Sequence, residues 1–188
     1  MDHAAAAVHS PLPDRDERTA PQVITFGCRL NMRESQRIAT LVREAGATDT
    51  VVINTCAVTA EAERQARQTI RRLRRERPGV RIVVTGCAAQ IHPDRFAAMP
   101  EIDRVVGNIE KLTPETWRPD AAARRVAVGD VMTAREADAD LAVTADAAQT
   151  RAFVEVQQGC DHRCTFCIIP FARGPSRSVP ADNVVRRG

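Results

Sequence analysis

Apolar residues recur along the chain in two alternating patterns. Short apolar runs at 22–26, 51–53, 81–85 and 104–106 read as buried strands. Between the first two, Ile38, Leu41, Val42 and Ala45 fall at i, i+3, i+4 and i+7, one apolar face of a helix. Asn31 and Glu34 stand at capping-box spacing ahead of that face, with Asn replacing the usual Ser or Thr, and Gly46 supplies a stop. A second helix is predicted from about 60 to 77 by the narrow apolar face of Ala62, Ala66, Ile70 and Leu73. Glu61 and Glu63 fall in its first turn and Arg74, Arg75 and Arg77 in its last, which suits the helix dipole. Pro78-Gly79 ends it. Further helices are predicted at 93–99 and 109–117. Strand and helix in strict alternation predict an α/β domain with a doubly wound parallel sheet.

The alternation fails at both ends. Residues 1–20, with Pro11, Pro13 and a charge run, read as a disordered tail. Residues 131–150 include seven alanines and four acids without strong periodicity, and read as a linker. A fresh strand at 152–156, a Gly- and Cys-rich loop at 159–173 and the start of a helix after Pro180 follow. The expected organisation is a tail (1–20), an α/β domain (21–130), a linker (131–150) and the beginning of a second domain (151–188). From Arg151 only 38 residues remain, whereas a (β/α)₈ barrel needs about 200. One strand with uncovered faces is not stable alone, so 151–188 is expected to be mobile or to borrow a surface from the first domain.

Composition narrows the class. With 44% apolar residues the chain can bury a core. No apolar run approaches the roughly 18 residues of a spanning helix, and the alanine run at 4–7 is too short for a signal-peptide core. A cytoplasmic protein without membrane contact is expected. Aromatics are 3% of the chain, five Phe, one Trp and no Tyr, which argues against a base-stacking RNA platform. The net charge of +3 hides two basic zones: seven Arg against three Glu in 61–77, and six Arg against three acids in 151–188. Lys111 is the sole lysine. Such zones are either phosphate-binding footprints or solvated helix faces. The sharper expectation is that Arg71, Arg72, Arg74 and Arg75, too close together to all serve the core, touch RNA phosphate.

Six cysteines in a chain without an export signal point to metal, redox chemistry or packing rather than disulfides. They form two groups of three. Cys28, Cys56 and Cys87 each follow a predicted parallel strand by one to three residues. The carboxyl ends of such strands face one crevice, so three thiols about 30 residues apart can converge. Three thiolates suit an iron–sulfur cluster with one open iron; zinc would need His92 as a fourth ligand; three buried thiols packing as small apolar residues is the plain alternative. Cys160, Cys164 and Cys167 form a C-x₃-C-x₂-C loop, a strong metal signal, open to a cluster or to zinc with His162. Phe166 would shield a cluster there.

The string Gln158-Gly159-Cys160 through Cys164-Thr165-Phe166-Cys167-Ile168-Ile169-Pro170 to Arg173-Gly174 resembles the methylthiotransferases of the radical S-adenosylmethionine superfamily. Gly27-Cys28 with Asn31, Asn54-Thr55-Cys56 and Gly86-Cys87 with Gln90 resemble that family's N-terminal domain. The motifs cover about residues 22–188 in the family's order. The resemblance implies a flavodoxin-like N-terminal domain followed by the truncated start of a radical S-adenosylmethionine (β/α) barrel. It implies that Cys160, Cys164 and Cys167 hold a [4Fe–4S] cluster binding S-adenosylmethionine, whose cleavage gives a 5′-deoxyadenosyl radical. It implies an auxiliary [4Fe–4S] cluster on Cys28, Cys56 and Cys87 that takes part in sulfur delivery, tRNA as substrate, and a reducing electron donor. Cofactor chemistry of this kind replaces an unactivated C–H with CH₃–S–, which acid–base groups cannot do. Cys56-Ala-Val-Thr59 with Arg67-Gln68, the Arg-rich helix and Glu34 look most like the branch acting on threonylcarbamoyladenosine at position 37 of tRNA. Two other branches act on isopentenyladenosine at that position or on a ribosomal-protein aspartate. A non-catalytic iron–sulfur or zinc module is the alternative of a different class. The barrel's remainder and the family's RNA-binding domain are not in this sequence, so the chain by itself is expected not to turn over.

Overall fold

A computed structural model of the chain describes residues 20–118, 124–137 and 154–186. The first elements are β1 (Gln22–Thr25), α1 (Arg29–Glu44), β2 (Thr50–Thr55), α2 (Ala60–Glu76) and β3 (Arg81–Gly86). They are followed by α3 (Cys87–Ile91), α4 (Pro93–Ala97), β4 (Arg104–Val106) and β5 (Val126–Ala127). All five strands pair in parallel, in the order β1-β2-β3-β4-β5. The α/β class and the parallel sheet are as expected.

Both sheet faces are covered, which is why β2 and β3 are near-continuous apolar runs rather than alternating ones. Val51, Ile53, Ile82, Val84 and Val105 face Ala66, Ile70 and Leu73 of α2 and Phe96 of α4. Val52, Val83 and Val106 face Ile38, Leu41 and Val42 of α1 and the Trp117 ring. Helices α1 and α2 thus lie on opposite faces although β1, β2 and β3 are successive neighbours. The two crossovers therefore have opposite hands, a departure from the usual right-handed rule. In a doubly wound sheet a reversal of strand order moves helices to the second face; here the order never reverses.

Several expectations change. The capping box is not formed: α1 starts at Arg29 with Cys28 at its N-cap, and Asn31 and Glu34 are fully buried inside the helix. Thr59 is the cap that forms, accepting from the Ala62 N–H at 3.2 Å at the head of α2. The helix expected at 109–117 is two 3₁₀ turns, Glu110–Leu112 and Pro114–Trp117. Pro114 lacks the N–H needed to continue the first into the second. Strand β5 and helix α3 are short and rich in small residues, and no periodic pattern in the sequence marks them.

Beyond β5 lie a 3₁₀ turn (Val131–Thr133), β6 (Gln157–Gln158), α5 (Ile169–Arg173), β7 (Arg177–Ser178) and α6 (Ala181–Val185). Of the expected linker, 138–150 lie outside the described residues, as does the tail at 1–19; Val131 is buried. The strand expected at 152–156 is not found over 154–156, and 151–153 lie outside the described residues. The ladder is assigned at Gln157–Gln158, where β7 returns antiparallel and Gln158 accepts from the Arg177 guanidinium at 3.1 Å. In the same register the Val179 N–H donates to the Val156 carbonyl at 2.9 Å, so the last residue of the expected strand lies beside this ladder. No part of a closed barrel is visible among the described residues.

Candidate metal centre

Each cysteine of the first group leaves the carboxyl end of a strand, and glycine lets two of those ends come close. Gly27 has φ +109°, and a Cβ there would lie 2.4 Å from Cys56 Cβ and 2.7 Å from its Sγ. Gly86 has φ +95°, and a Cβ there would lie 2.3 Å from the Thr55 carbonyl oxygen. A side chain at either position would push the chain ends apart. Cys56 and Cys87 are buried and Cys28 is exposed. Burial pushes the Cys56 thiol up; the Val58 N–H, 3.4 Å from its Sγ, opposes this, and Cys87 and Cys28 add to the rise.

Side chains of the strand ends and α1 tie the group together. Asn31 Nδ2 donates to the Phe26 and Thr55 carbonyls, 2.9 Å each, while the Cys28 thiol faces Asn31 Oδ1 at 3.8 Å. Asn54 Nδ2 donates to the Asn31 carbonyl and to Ser35 Oγ, 3.0 Å each. Thr55 Oγ1 donates to the Thr85 carbonyl at 2.6 Å and accepts from Ala89 N–H at 3.2 Å. These polar side chains thus bond inside the core, while Asn54 Oδ1 is buried without a hydrogen-bond partner.

Beneath Cys87 lies a buried ionic cluster. Arg173, at the end of α5, donates through both Nη atoms to the Glu34 carboxylate. Its Nη2 also donates to Asn31 Oδ1 at 2.6 Å, and its Nε to Cys87 Sγ at 3.2 Å. Lys111 Nζ donates to Glu34 Oε2 at 2.6 Å and to Asn108 Oδ1 at 2.7 Å. Asn108 Nδ2 donates to the Ala172 carbonyl at 2.6 Å and lies 3.9 Å from Cys87 Sγ. Burial alone would raise the Glu34 carboxyl; Arg173 and Lys111 outweigh it and hold the group below the ordinary carboxylate range. Burial pulls Lys111 down, only partly opposed by Glu34. Sequence patterns assign no role to Lys111, Asn108 or Arg173 in such a cluster. The available signal is a single lysine among 26 arginines, and its partner lies 77 positions away.

The second group sits on an open loop. Cys164 is exposed, and Cys160 and Cys167 are half-buried. The Cys160 N–H donates to the Gly174 carbonyl and the Cys167 N–H to the Cys164 carbonyl. Gly159, with φ +73°, lies against the Pro175 carbonyl, where a Cβ would sit at 2.0 Å. Phe166 does not shield the loop; it is 91% exposed. Among the described residues no three His, Cys, Asp or Glu side chains close round a single metal ion.

The arginines of α2 are divided. Arg74 is occupied, donating to the Glu101, Pro78 and Val80 carbonyls and to Asp103. Arg71 and Arg72 keep only long contacts of 3.9 Å, to Glu101 and Glu76, and about half of each side chain is open to solvent. Arg75 is exposed. At 1.5 Å per residue, Arg71 lies about 17 Å along the helix from its cysteine-proximal end.

The sequence is similar to known proteins over most of its length. Residues 21–107 match the family described as uncharacterized protein family UPF0004. The chain is 44% identical over 164 residues to the threonylcarbamoyladenosine tRNA methylthiotransferase of Rickettsia prowazekii (strain Madrid E), covering 87% of this chain and 38% of the relative. It is 38% identical over 174 residues to the protein of the same description from Bacillus subtilis (strain 168), with the same coverage. It is 36% identical over 190 residues to the tRNA-2-methylthio-N(6)-dimethylallyladenosine synthase of Sorangium cellulosum (strain So ce56), covering 87% of this chain and 37% of the relative. Over 87% of its own length the chain is thus similar to curated methylthiotransferases. It spans about two fifths of the length of the curated relatives it matches. No described helix is long and apolar enough to cross a membrane.

Proposed function

We propose that the protein is a tRNA-modifying methylthiotransferase that places a methylthio group on C2 of N6-threonylcarbamoyladenosine at position 37. Cys160, Cys164 and Cys167 hold a [4Fe–4S] cluster that binds S-adenosylmethionine, and Cys28, Cys56 and Cys87 hold an auxiliary [4Fe–4S] cluster. The observation that carries the reading is Arg173: it belongs to the C-x₃-C-x₂-C segment, yet it is buried against Cys87, Asn31 and Glu34 of the sheet domain. Arg173 thus ties the segment of the second cysteine group to the domain that carries the first.

The donor set fits such groups. Each set offers three thiols, leaving one iron open, and the first adjoins a buried guanidinium that suits an anion. When bound, the clusters and S-adenosylmethionine supply the electron, radical and sulfur chemistry. The chain's own residues hold the ligands: Asn31 fixes the turn carrying Cys28, the approach at Gly27 sets Cys56, and Arg173 with Asn108 holds Cys87. For RNA, Arg71, Arg72 and Arg75 are the phosphate-binding groups on α2, and Arg74 serves the fold. Replacing two of the three should lower the salt dependence of tRNA binding by about 0.7–0.9 for each phosphate no longer neutralised.

The test is product analysis with the complete protein. Cys164→Ala should abolish S-adenosylmethionine cleavage. Cys56→Ala should keep cleavage and form no methylthiolated nucleoside. Unaltered product from Cys56→Ala would remove the auxiliary site from the reaction. Mass analysis of nucleosides from tRNA of a strain carrying only this enzyme decides the substrate: methylthiolated dimethylallyladenosine instead of threonylcarbamoyladenosine would move it to the branch of the Sorangium relative.

A further inference from the structure

The buried ionic cluster is not balanced. Arg173 and Lys111 bring two positive charges, and both bind one carboxylate, Glu34. The side chains of Glu34 and Lys111 are fully buried and that of Arg173 is 3% exposed. The charges that act foremost on Arg173 after burial are Glu34, Cys87 and Cys28; those on Lys111 are Glu34, Arg173 and Cys87. A buried cation without a counter-charge is strongly unfavourable. The surplus points toward the thiols. The remaining acceptor of Arg173 Nε is Cys87 Sγ, and Asn108, which accepts from Lys111, turns its own N–H toward the same sulfur.

Three thiolates on a dipositive four-iron cubane make a net monoanion. That charge equals and opposes the surplus of the Arg173–Lys111–Glu34 cluster. Adding one electron makes a dianion, which a neighbouring cation favours, so the cluster's surroundings set its potential through net charge and hydrogen bonds to sulfur. An anion at Cys87 would also oppose the loss of the Lys111 proton that burial favours.

We propose that Arg173 and Lys111 are the built-in counter-charge of an anionic iron–sulfur group on Cys28, Cys56 and Cys87, and that Glu34 limits their effect. Arg173 is thus a positioning residue that sets the auxiliary group's reduction potential from the segment carrying the other three cysteines. This rests on the reading of Cys28, Cys56 and Cys87 as cluster ligands.

The test uses the whole 188-residue chain with Cys160, Cys164 and Cys167 all replaced by Ala, reconstituted anaerobically with iron and sulfide. One-electron redox titration gives the midpoint potential of the remaining cluster. Arg173→Gln should shift it to more negative values and Arg173→Lys less so. Glu34→Gln should shift it to more positive values. A role in packing alone would not reverse sign between Arg173→Gln and Glu34→Gln. Shifts of the same sign, or none, with iron content equal to the parent's, overturn the counter-charge while leaving the ligand reading intact. If the parent takes up no iron, both fall. Should Arg173→Gln hold too little iron to titrate, Lys111→Met must shift negative and Glu34→Gln positive; failure of either overturns the proposal.

Discussion

The two cysteine groups have the same ligand count and opposite structural support. Cys28, Cys56 and Cys87 hang from three parallel strands, with two sulfurs buried and the carbonyls around them bonded by Asn31, Asn54 and Thr55. Cys160, Cys164 and Cys167 sit on a loop framed by a ladder of two residues on each side, with Phe166 in solvent. The first set is placed by a core that exists without it. The second is placed by short-range turns and by one anchor, the Arg173 end of α5. A site on sheet ends is held rigidly; a site on a loop needs a neighbouring surface. The segment borrows that surface through the Arg173 ion pair together with buried Pro170 and Ala172.

That contrast can be broken by substitution, starting with the core under the first group. Phe96 is fully buried under β3 and β4. Phe96→Ala should cost about 3–5 kcal/mol of unfolding free energy in denaturant titration. A cost of less than about 1 kcal/mol, on the scale of a surface change, would mean that the sheet domain is not the rigid partner. Next comes the tie between the regions. Asn31→Ala leaves an Arg173 donor without its acceptor and removes the donor to the Phe26 and Thr55 carbonyls, so about 1–3 kcal/mol is expected for the orphaned groups. The effect should vanish in an Arg173→Gln background for the part due to the pair; full additivity in a double-mutant cycle would deny the tie. Thr59→Ala removes the α2 cap bond and should cost about 1 kcal/mol. At the loop, Phe166→Ala should change stability by no more than about 0.5 kcal/mol, since the ring touches little. A larger effect would show that the loop is packed more than its exposure indicates.

Hydrogen exchange sharpens the same comparison without mutation. Amides of Val51–Ile53 in the middle of the sheet should exchange only through global unfolding. Those of Gln157 and Gln158 should exchange through local opening, at least about a hundredfold faster by the roughly 3 kcal/mol that separates a short edge ladder from a core strand. Equal protection would mean that 154–186 and the sheet unfold as one unit.

Much of the first region can be read from sequence because its determinants are local. Apolar runs mark β2 and β3, and a cysteine follows each strand within three residues. The roles of Asn31 and Glu34 cannot be read that way. Their i, i+3 spacing is the same for a capping box and for two buried residues on successive turns of a helix, and burial by α5 comes from more than 130 positions away. Lys111 is visible as a lone lysine, but its partner is not. In the second region Val154 and Val156 outweigh Gln157 and Gln158 as a strand signal, whereas the ladder there includes a side-chain bond from Arg177 of the returning strand to Gln158. Pro114 divides a stretch whose apolar spacing looks helical, and the spacing alone does not report its missing donor.

The most direct measurement is iron and acid-labile sulfide per chain after anaerobic reconstitution, for the parent and for two triple variants. The account predicts about eight of each in the parent, as two four-iron clusters require. With Cys28, Cys56 and Cys87 replaced by Ala, or with Cys160, Cys164 and Cys167 replaced instead, it predicts about four. A parent that holds about four and loses all of it in one triple variant but none in the other would contradict it, because one of the two groups would then bind no cluster.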